Sequence, residues 1–296
     1  MTPATPQQAA PPPASPTSVP VAPTPVAPTP VASGAPQLAA ASPTLPAPTS
    51  VPAALTPAAT TEPLAMVASA NLGYIPILMY HYIRVVDQAS DPLGYRLSVA
   101  PAVFAQQMDW IAEQGYTPIT MATLTDCLRA RQVCPPKRVV LTFDDGYEDN
   151  ALAALPVLQA RGFVGTFFIV SSRIGTPGYV RIEQLAALRD AGMEIGAHTV
   201  THADLTSLSL EDAAAEMIES RIMIEQTLGI TVRSFSYPAG KYTAEIAQLA
   251  HTLGFESAVI TQSFRGFDQL YEIPRRRVLG GEPVSGFRYY FVPLAR

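Results

Sequence analysis

From residue 76 onward, short apolar runs alternate with longer amphipathic stretches. The runs Ile77–Tyr80, Arg138–Phe143, 165–170, Glu194–Ala197, 234–237 and 257–261 are brief, rich in β-branched and aromatic residues, and bounded by Gly, Pro, Asp or polar clusters. They predict strands. The stretches 101–114, 121–131, 149–161, 181–191, 209–228 and 243–253 predict helices. Thr120 stands where the second needs an N-cap, and Gly115, Gly162, Gly192, Gly229 and Gly254 stand just past helix ends. Strands that alternate with helices imply parallel βαβ units. About seven such units in roughly 220 residues suit a (β/α) barrel better than a doubly wound sheet, a choice that periodicity alone does not settle; in a barrel, chemistry belongs at the C-terminal ends of the strands.

Residues 1–70 have no such pattern. They contain no aromatic residue, no Lys and no Arg, their one charged side chain is Glu62, and 18 of the chain's 30 prolines fall within the first 65 positions. Such a text cannot bury enough apolar area to offset its ordering entropy, and proline favours extended backbone without donors. The expectation is a disordered Pro/Thr/Ala-rich linker over 1–70 and one folded domain over 71–296.

In 71–296 all 19 Lys and Arg face 23 of the 24 Asp and Glu. The small acidic excess argues against nucleic acid or an anionic membrane surface as the main partner. No apolar run approaches a membrane span, and a monomer is expected. The N-terminus has no basic region followed by an apolar one. A Pro/Thr stalk usually separates an enzyme from an anchor or wall-binding module. The expectation is therefore an extracellular or cell-envelope protein whose export signal lies upstream of Met1. Cys127 and Cys134 either close a small disulfide loop or remain free thiols.

The candidate chemistry sits at the ends of predicted strands. Thr142-Phe143-Asp144-Asp145-Gly146 closes one run, and His198-Thr199-Val200-Thr201-His202 follows another. Two adjacent carboxylates leaving a strand point in different directions, so one can ligate a cation while the other handles a proton. Asp-Asp-Gly is equally good turn chemistry. Two histidines four apart can reach one ion if the segment turns helically, and two His plus one carboxylate leave coordination positions open for catalysis. One surface and one core histidine would give the same spacing. A Gly-rich phosphate loop and a serine-elbow motif are both lacking, which disfavours nucleotide binding and serine hydrolase chemistry.

Together these segments resemble the first two motifs of the NodB-homology polysaccharide deacetylases, carbohydrate esterase family 4. Ile75-Pro76-Ile77-Leu78-Met79-Tyr80-His81, and 97–116 with Phe104, Trp110 and Gly115-Tyr116, look like the subgroup that includes bacterial poly-N-acetylglucosamine deacetylases. The resemblance covers about 75–296 and implies a distorted (β/α) barrel of about seven strands and a metal-dependent hydrolase that removes N-acetyl groups from N-acetylglucosamine-containing polysaccharide. It also implies Asp145, His198 and His202 as metal ligands, with zinc as the default and cobalt or nickel tolerated, and Asp144 as general base. The third motif departs from the common Arg-Pro-Pro-Tyr, reading Ser236-Tyr237-Pro238-Ala239-Gly240. The backbone N–H of Ala239 remains the expected oxyanion donor, with Tyr237 in substrate binding. The missing arginine is expected from Ile273-Pro274-Arg275-Arg276-Arg277, where Arg275 aligns best and Arg277 shares its facing. Within the family the leaving amine needs a general acid. No histidine follows His251, which reads as a surface residue, so the subgroup's Met-Tyr-His histidine, His81, takes that role. Tyr147, Trp110 and Phe264 are further candidates for stacking on sugar rings. Two other readings stay open: an O-acetyl glycan esterase using the same site, and a non-catalytic glycan-binding or scaffold protein.

Overall fold

The computed structural model describes residues 73–261 and 269–293. The linker expected over 1–70 and the candidate Phe264 lie outside them. Nine strands form one all-parallel sheet: β1 (Ile77–Tyr80), β2 (Thr117–Ile119), β3 (Arg138–Phe143), β4 (Thr166–Ile169), β5 (Glu194–Ala197), β6 (Ser234–Ser236), β7 (Ser257–Ile260), β8 (Ile273–Pro274) and β9 (Arg276–Arg277). The order runs β8-β7-β6-β5-β4-β3-β1-β9, with β2 branching from β3. β2 pairs the first half of β3, from Thr117↔Arg138 to Ile119↔Val140, and β4 pairs its second half, Thr142↔Thr166 and Phe143↔Phe167. The ends of the order meet in one segment. β8 pairs β7, β9 pairs β1, and Arg275 stands between them. Residues 273–277 thus act as one bent stave that closes the barrel, its backbone held by Arg275 N–H to Ile260 O (3.1 Å) and Val278 N–H to Met79 O (2.9 Å).

The helices are α1 (Pro92–Leu97), α2 (Pro101–Glu113), α3 (Met121–Leu128), α4 (Leu155–Gln159, entered through a π turn at Asn150–Ala154), α5 (Ile182–Asp190), α6 (Leu210–Leu228), α7 (Ala244–Thr252) and α8 (Val284–Phe287). The expected N-cap holds: Thr120 Oγ1 accepts from Thr123 N–H at 3.1 Å. At the end of α6, Gly229 takes φ 63°, ψ 38°, a left-handed conformation without penalty for glycine. Cys127 and Cys134 are joined in a disulfide, Cα atoms 5.5 Å apart, so the bridge and not the pair of free thiols is present. Among the described residues no helix is long and apolar enough to cross a membrane.

Strand alternation sorts side chains between two compartments. Tyr80, Phe143 and Phe167 point outward to the helix layer. Phe143 stacks on Phe167 (4.5 Å) and meets Phe104 of α2 edge-on (5.9 Å), while the Tyr80 hydroxyl donates to Gln107 Oε1 (2.9 Å). Their neighbours Met79, Thr142 and Phe168 point into the barrel. A Cβ on Gly196 would stand 2.6 Å from the Phe168 ring, so β5 can face that ring only with glycine there. The same parity sends Asp144, His198, Ser236 and Arg275 inward at the C-terminal pole.

Candidate active site

Asp144 is 3% exposed and Arg275 2% exposed, so this ion pair is almost wholly buried at the pole of the barrel. Arg275 grips the carboxylate with both nitrogens, Nη1 to Oδ1 at 2.6 Å and Nη2 to Oδ2 at 2.7 Å. The second donors of Nη1 and Nη2 reach Thr142 Oγ1 (3.1 Å) and Ser236 Oγ (2.9 Å), Nε is buried without a partner, and the guanidinium lies 5.4 Å over the Phe168 ring. Burial alone would raise the Asp144 carboxyl. The Arg275 charge, with His198 and His81 nearby, outweighs it and holds the group below the usual carboxylate range.

Asp145, next along the chain, points elsewhere because its backbone is left-handed, φ 74°. Its Oδ1 lies 3.3 Å from His198 Nε2 and 3.4 Å from His202 Nε2. One ligand atom from each of these residues falls within a 4.8 Å cluster. His198 Nδ1 sits 2.7 Å from Ser236 O, an acceptor, so the proton belongs on Nδ1 and Nε2 keeps its lone pair free. Asp145 Oδ1 is buried with no hydrogen-bond partner. An orphaned oxygen facing two imidazole nitrogens suits a divalent cation, and the donor set suits zinc or a similar ion. Burial opposes ionisation of Asp145, but the imidazoles, led by His198, hold its pKa well below normal.

The loop that presents the histidines is strained. Thr199 has φ 66° and His202 φ 65°, a region that side chains with a Cβ rarely adopt and that costs about 1–3 kcal/mol per residue. Glu216 on α6 offsets this. Its Oε2 accepts from Val200 N–H and Thr201 N–H, each at 2.9 Å, and its Oε1 from the Thr201 hydroxyl at 2.8 Å. Thr199 Oγ1 accepts from His202 N–H at 3.0 Å. Sequence reasoning did not find Glu216, Thr142 or Ser236. Each acts through a neighbour far away in the chain, and each residue type is ordinary at its position.

His81 follows β1, and the charges of Asp144, Asp145, Arg277 and Arg275 all reach it. Burial lowers its pKa, the two carboxylates oppose this, and Arg277 and Arg275 reinforce it. Its Nδ1 is buried and has no partner. Ala239 is exposed in the tight turn Pro238–Gly240 that follows β6, with φ 54°. Lys241 Nζ holds Asp204 Oδ2 at 2.5 Å, tying this turn to the loop beyond His202.

Three aromatics stand differently from expectation. Tyr237 is fully buried, its hydroxyl donates to Tyr271 O (3.1 Å) and its ring stacks on Tyr242 (5.4 Å), so no face is open to a sugar. Ser236 points into the barrel, and parity turns Tyr237 to the outer layer. Trp110 packs with Phe291 (4.7 Å) and Phe287 (5.6 Å) against the part of the core beside α8. Tyr147 does reach the site, but Tyr82 and Tyr179 flank its ring. His251 lies on α7 against Tyr271, away from the ligand cluster.

Comparison with known proteins agrees with this arrangement. A family model described as polysaccharide deacetylase matches residues 131–258, which contain Asp144, Asp145, His198, His202 and Ala239. YxkH of Bacillus subtilis, which carries the name of a polysaccharide deacetylase, is 31% identical over 218 residues, covering 73% of this chain and 75% of its own. The poly-beta-1,6-N-acetyl-D-glucosamine N-deacetylase of Escherichia coli is 33% identical over 105 residues, 36% of this chain and 15% of that protein. In structure, the Streptococcus pyogenes deacetylase PplD in complex with acetate superposes with a TM-score of 0.69 at 26% identity, covering 74% of this chain and 98% of its own. With a closed parallel barrel, a paired aspartate and an Asp-His-His cluster at one pole, and a relative aligned over three quarters of its length, the chain belongs to the polysaccharide deacetylases, a family of hydrolases.

Proposed function

We propose that the protein is a metal-dependent deacetylase that removes N-acetyl groups from N-acetylglucosamine units of an extracellular or cell-envelope polysaccharide, releasing acetate. The observation that carries this reading is the pairing of Asp144 by Arg275 beside the Asp145, His198 and His202 cluster. One aspartate is held ionised by a buried arginine and the other faces two imidazoles, which is a division of labour between a base and a ligand. A divalent cation bound by the cluster, zinc by default, supplies acidification of water and polarisation of the acetamide carbonyl.

The remaining work falls to side chains and backbone. Asp144 takes a proton from the attacking water as its oxygen bonds to the carbonyl carbon. Arg275 keeps that carboxylate ionised and aimed. The Ala239 N–H stabilises the oxyanion that develops. His81, once protonated, gives its proton to the amine as the C–N bond breaks, leaving acetate and a free amino sugar. PplD was solved with acetate, the same product, in a barrel of the same kind.

The test is acetate release from N-acetylglucosamine oligomers, with chelator and after metal restoration. Activity lost with chelator and regained with zinc supports the reading, as does a His81→Ala variant that retains metal but turns over slowly. Chelator-insensitive release, or a His81→Ala variant at full rate, would overturn the corresponding role. Release from acetylated xylan but not from the N-acetylated oligomer would assign the site to O-acetyl esters.

A further inference from the structure

Three half-buried tyrosines form a ladder along the mouth of the site. Tyr82 and Tyr147 stack with ring centroids 3.6 Å apart and planes inclined by 19°. Tyr179 stands 5.2 Å beyond Tyr147, held there by the antiparallel bridge between these two residues and by Glu148 N–H to Gly178 O at 2.9 Å. An arginine closes each end. Arg84 Cζ lies 3.6 Å from the centre of the Tyr82 ring, and Arg173 Cζ 5.6 Å from that of Tyr179. The ladder borders the ligand cluster. The Tyr147 hydroxyl faces Asp145, the charge of Asp145 reaches Tyr82, and the charge of Arg173 reaches His202.

The ring faces are consumed by their neighbours, so the ladder does not offer Tyr147 as a platform for a sugar. It offers its ends. Among the described residues neither Arg84 nor Arg173 has a carboxylate ion-pair partner. Arg84 Nε donates to Ser98 Oγ at 3.2 Å, and the other contact of each arginine is an aromatic ring. Arginines such as Arg161, Arg189 and Arg221 each hold a carboxylate instead. The acid near Arg84 is Asp149, which accepts from the Ile83 N–H and from Asn150, and burial pushes its pKa up to about 6. A guanidinium stacked on a ring keeps its in-plane donors free for an oxyanion. Among the described residues Arg277 also has no carboxylate ion-pair partner, its Nε is buried without a hydrogen bond, and its charge reaches His81. Three arginines without a carboxylate partner thus border the site in a chain of net charge −5.

We propose that this rim is a subsite for fixed negative charge on the substrate: the site takes an N-acetylated glycan whose sugars carry carboxylate or phosphate groups, and Arg84 and Arg173, at the two ends of the ladder, read those groups. The inference rests on the deacetylase reading and names the substrate class for that same site.

The experiment uses the full chain loaded with zinc and three probes of equal length: a neutral N-acetylglucosamine oligomer, a glycan strand with lactyl-ether carboxylates, and an N-acetylglucosamine oligomer bearing 6-phosphates. Acetate release gives kcat and KM for each. At least one anionic probe is expected to have a KM roughly tenfold below the neutral oligomer, the return on one or two charge-assisted hydrogen bonds, and which one it is identifies the anion. The advantage should shrink as salt rises. In the Arg84→Gln/Arg173→Gln variant, the ratio of kcat/KM between anionic and neutral probes should fall toward one. Equal KM values for all three probes, or a preference that survives in the double variant, would overturn the proposal and leave the deacetylase reading standing. No acetate from any probe after metal restoration would instead sink that reading. The salt titration of the unaltered protein keeps the test decisive even if the double variant folds poorly.

Discussion

Two carboxylates at opposite poles of the same barrel, Asp144 buried and Glu194 half-buried, have been treated in opposite ways. Asp144 follows β3 at the C-terminal pole and is gripped by Arg275. Glu194 opens β5 at the other pole, where it accepts from Ala122 N–H (2.7 Å) and from the hydroxyls of Thr166 (3.0 Å) and Ser234 (2.6 Å). Burial raises the Glu194 pKa, and its neutral donors and the more distant Arg233 do not reverse that. At Asp144 a buried cation does reverse it. Burial alone therefore does not separate the two carboxylates. A full counter-charge does, and four of the five non-glycine residues with left-handed backbone among the described residues, Asp145, Thr199, His202 and Ala239, stand at the pole of Asp144.

The contrast breaks most visibly at Asp144. Asp144→Asn should lower kcat by about 10²–10⁴, the range for loss of a general base, while a chelator-competition assay still finds the metal bound. Next is Arg275→Met, which leaves Asp144 buried without its partner and should cost about 3–5 kcal/mol in denaturant unfolding. Adding Asp144→Asn to that variant should recover part of the loss, because no unpaired charge then remains. A double variant less stable than Arg275→Met alone would contradict this. A smaller effect is expected at the strained loop. Glu216→Ala removes three hydrogen bonds and should weaken zinc about 10–100-fold in competition titrations, with the melting temperature of the metal-free protein changed far less.

The smallest effect belongs to Glu194. Its raised native pKa means that its contribution to stability is complete below the unfolded value and is lost as pH rises through the native one. Glu194→Gln should accordingly raise the melting temperature near neutral pH by roughly 2–4 °C, about what 1 kcal/mol yields in a domain of this size. The gain should vanish in acid. Asp144 has the opposite sign: its contribution is present above the unfolded value and is lost as pH falls through the depressed native one. A gain from Glu194→Gln that persisted at low pH would mean that packing, and not charge, distinguishes the two poles.

Much of this pole was legible in the sequence. β1, β3 and β5 run over the very residues that their apolar runs predicted, because each run is flanked by strong turn or helix signals. Asp145, His198 and His202 come together as their motifs implied. β2 escaped notice because Pro118 sits inside it, tolerated where β2 branches from β3 and lies off the main order of the sheet. The closing stave was not among the expected strands, although strand alternation was applied to its arginines to give Arg275 and Arg277 one facing; its two pairs of sheet residues are too short to leave an apolar run, and Arg275 between them faces the barrel interior. Tyr237 was misjudged because its neighbour Ser236 takes the inward position, and a motif does not state parity. Glu216 was invisible because it touches the histidine loop from a helix that begins eight residues after it.

The closing stave has a consequence for how competence arises. Residues 273–277 bridge β7 to β1, the widest sequence separation in the sheet, and contacts of such separation are slow to form because loop closure must come first. Asp145, His198 and His202 lie on or just after strands that pair without this stave, whereas the counter-charge of Asp144 is carried on it. The ligand cluster and the ionised carboxylate thus depend on different parts of the sheet, and damage at the seam should be felt first at Asp144.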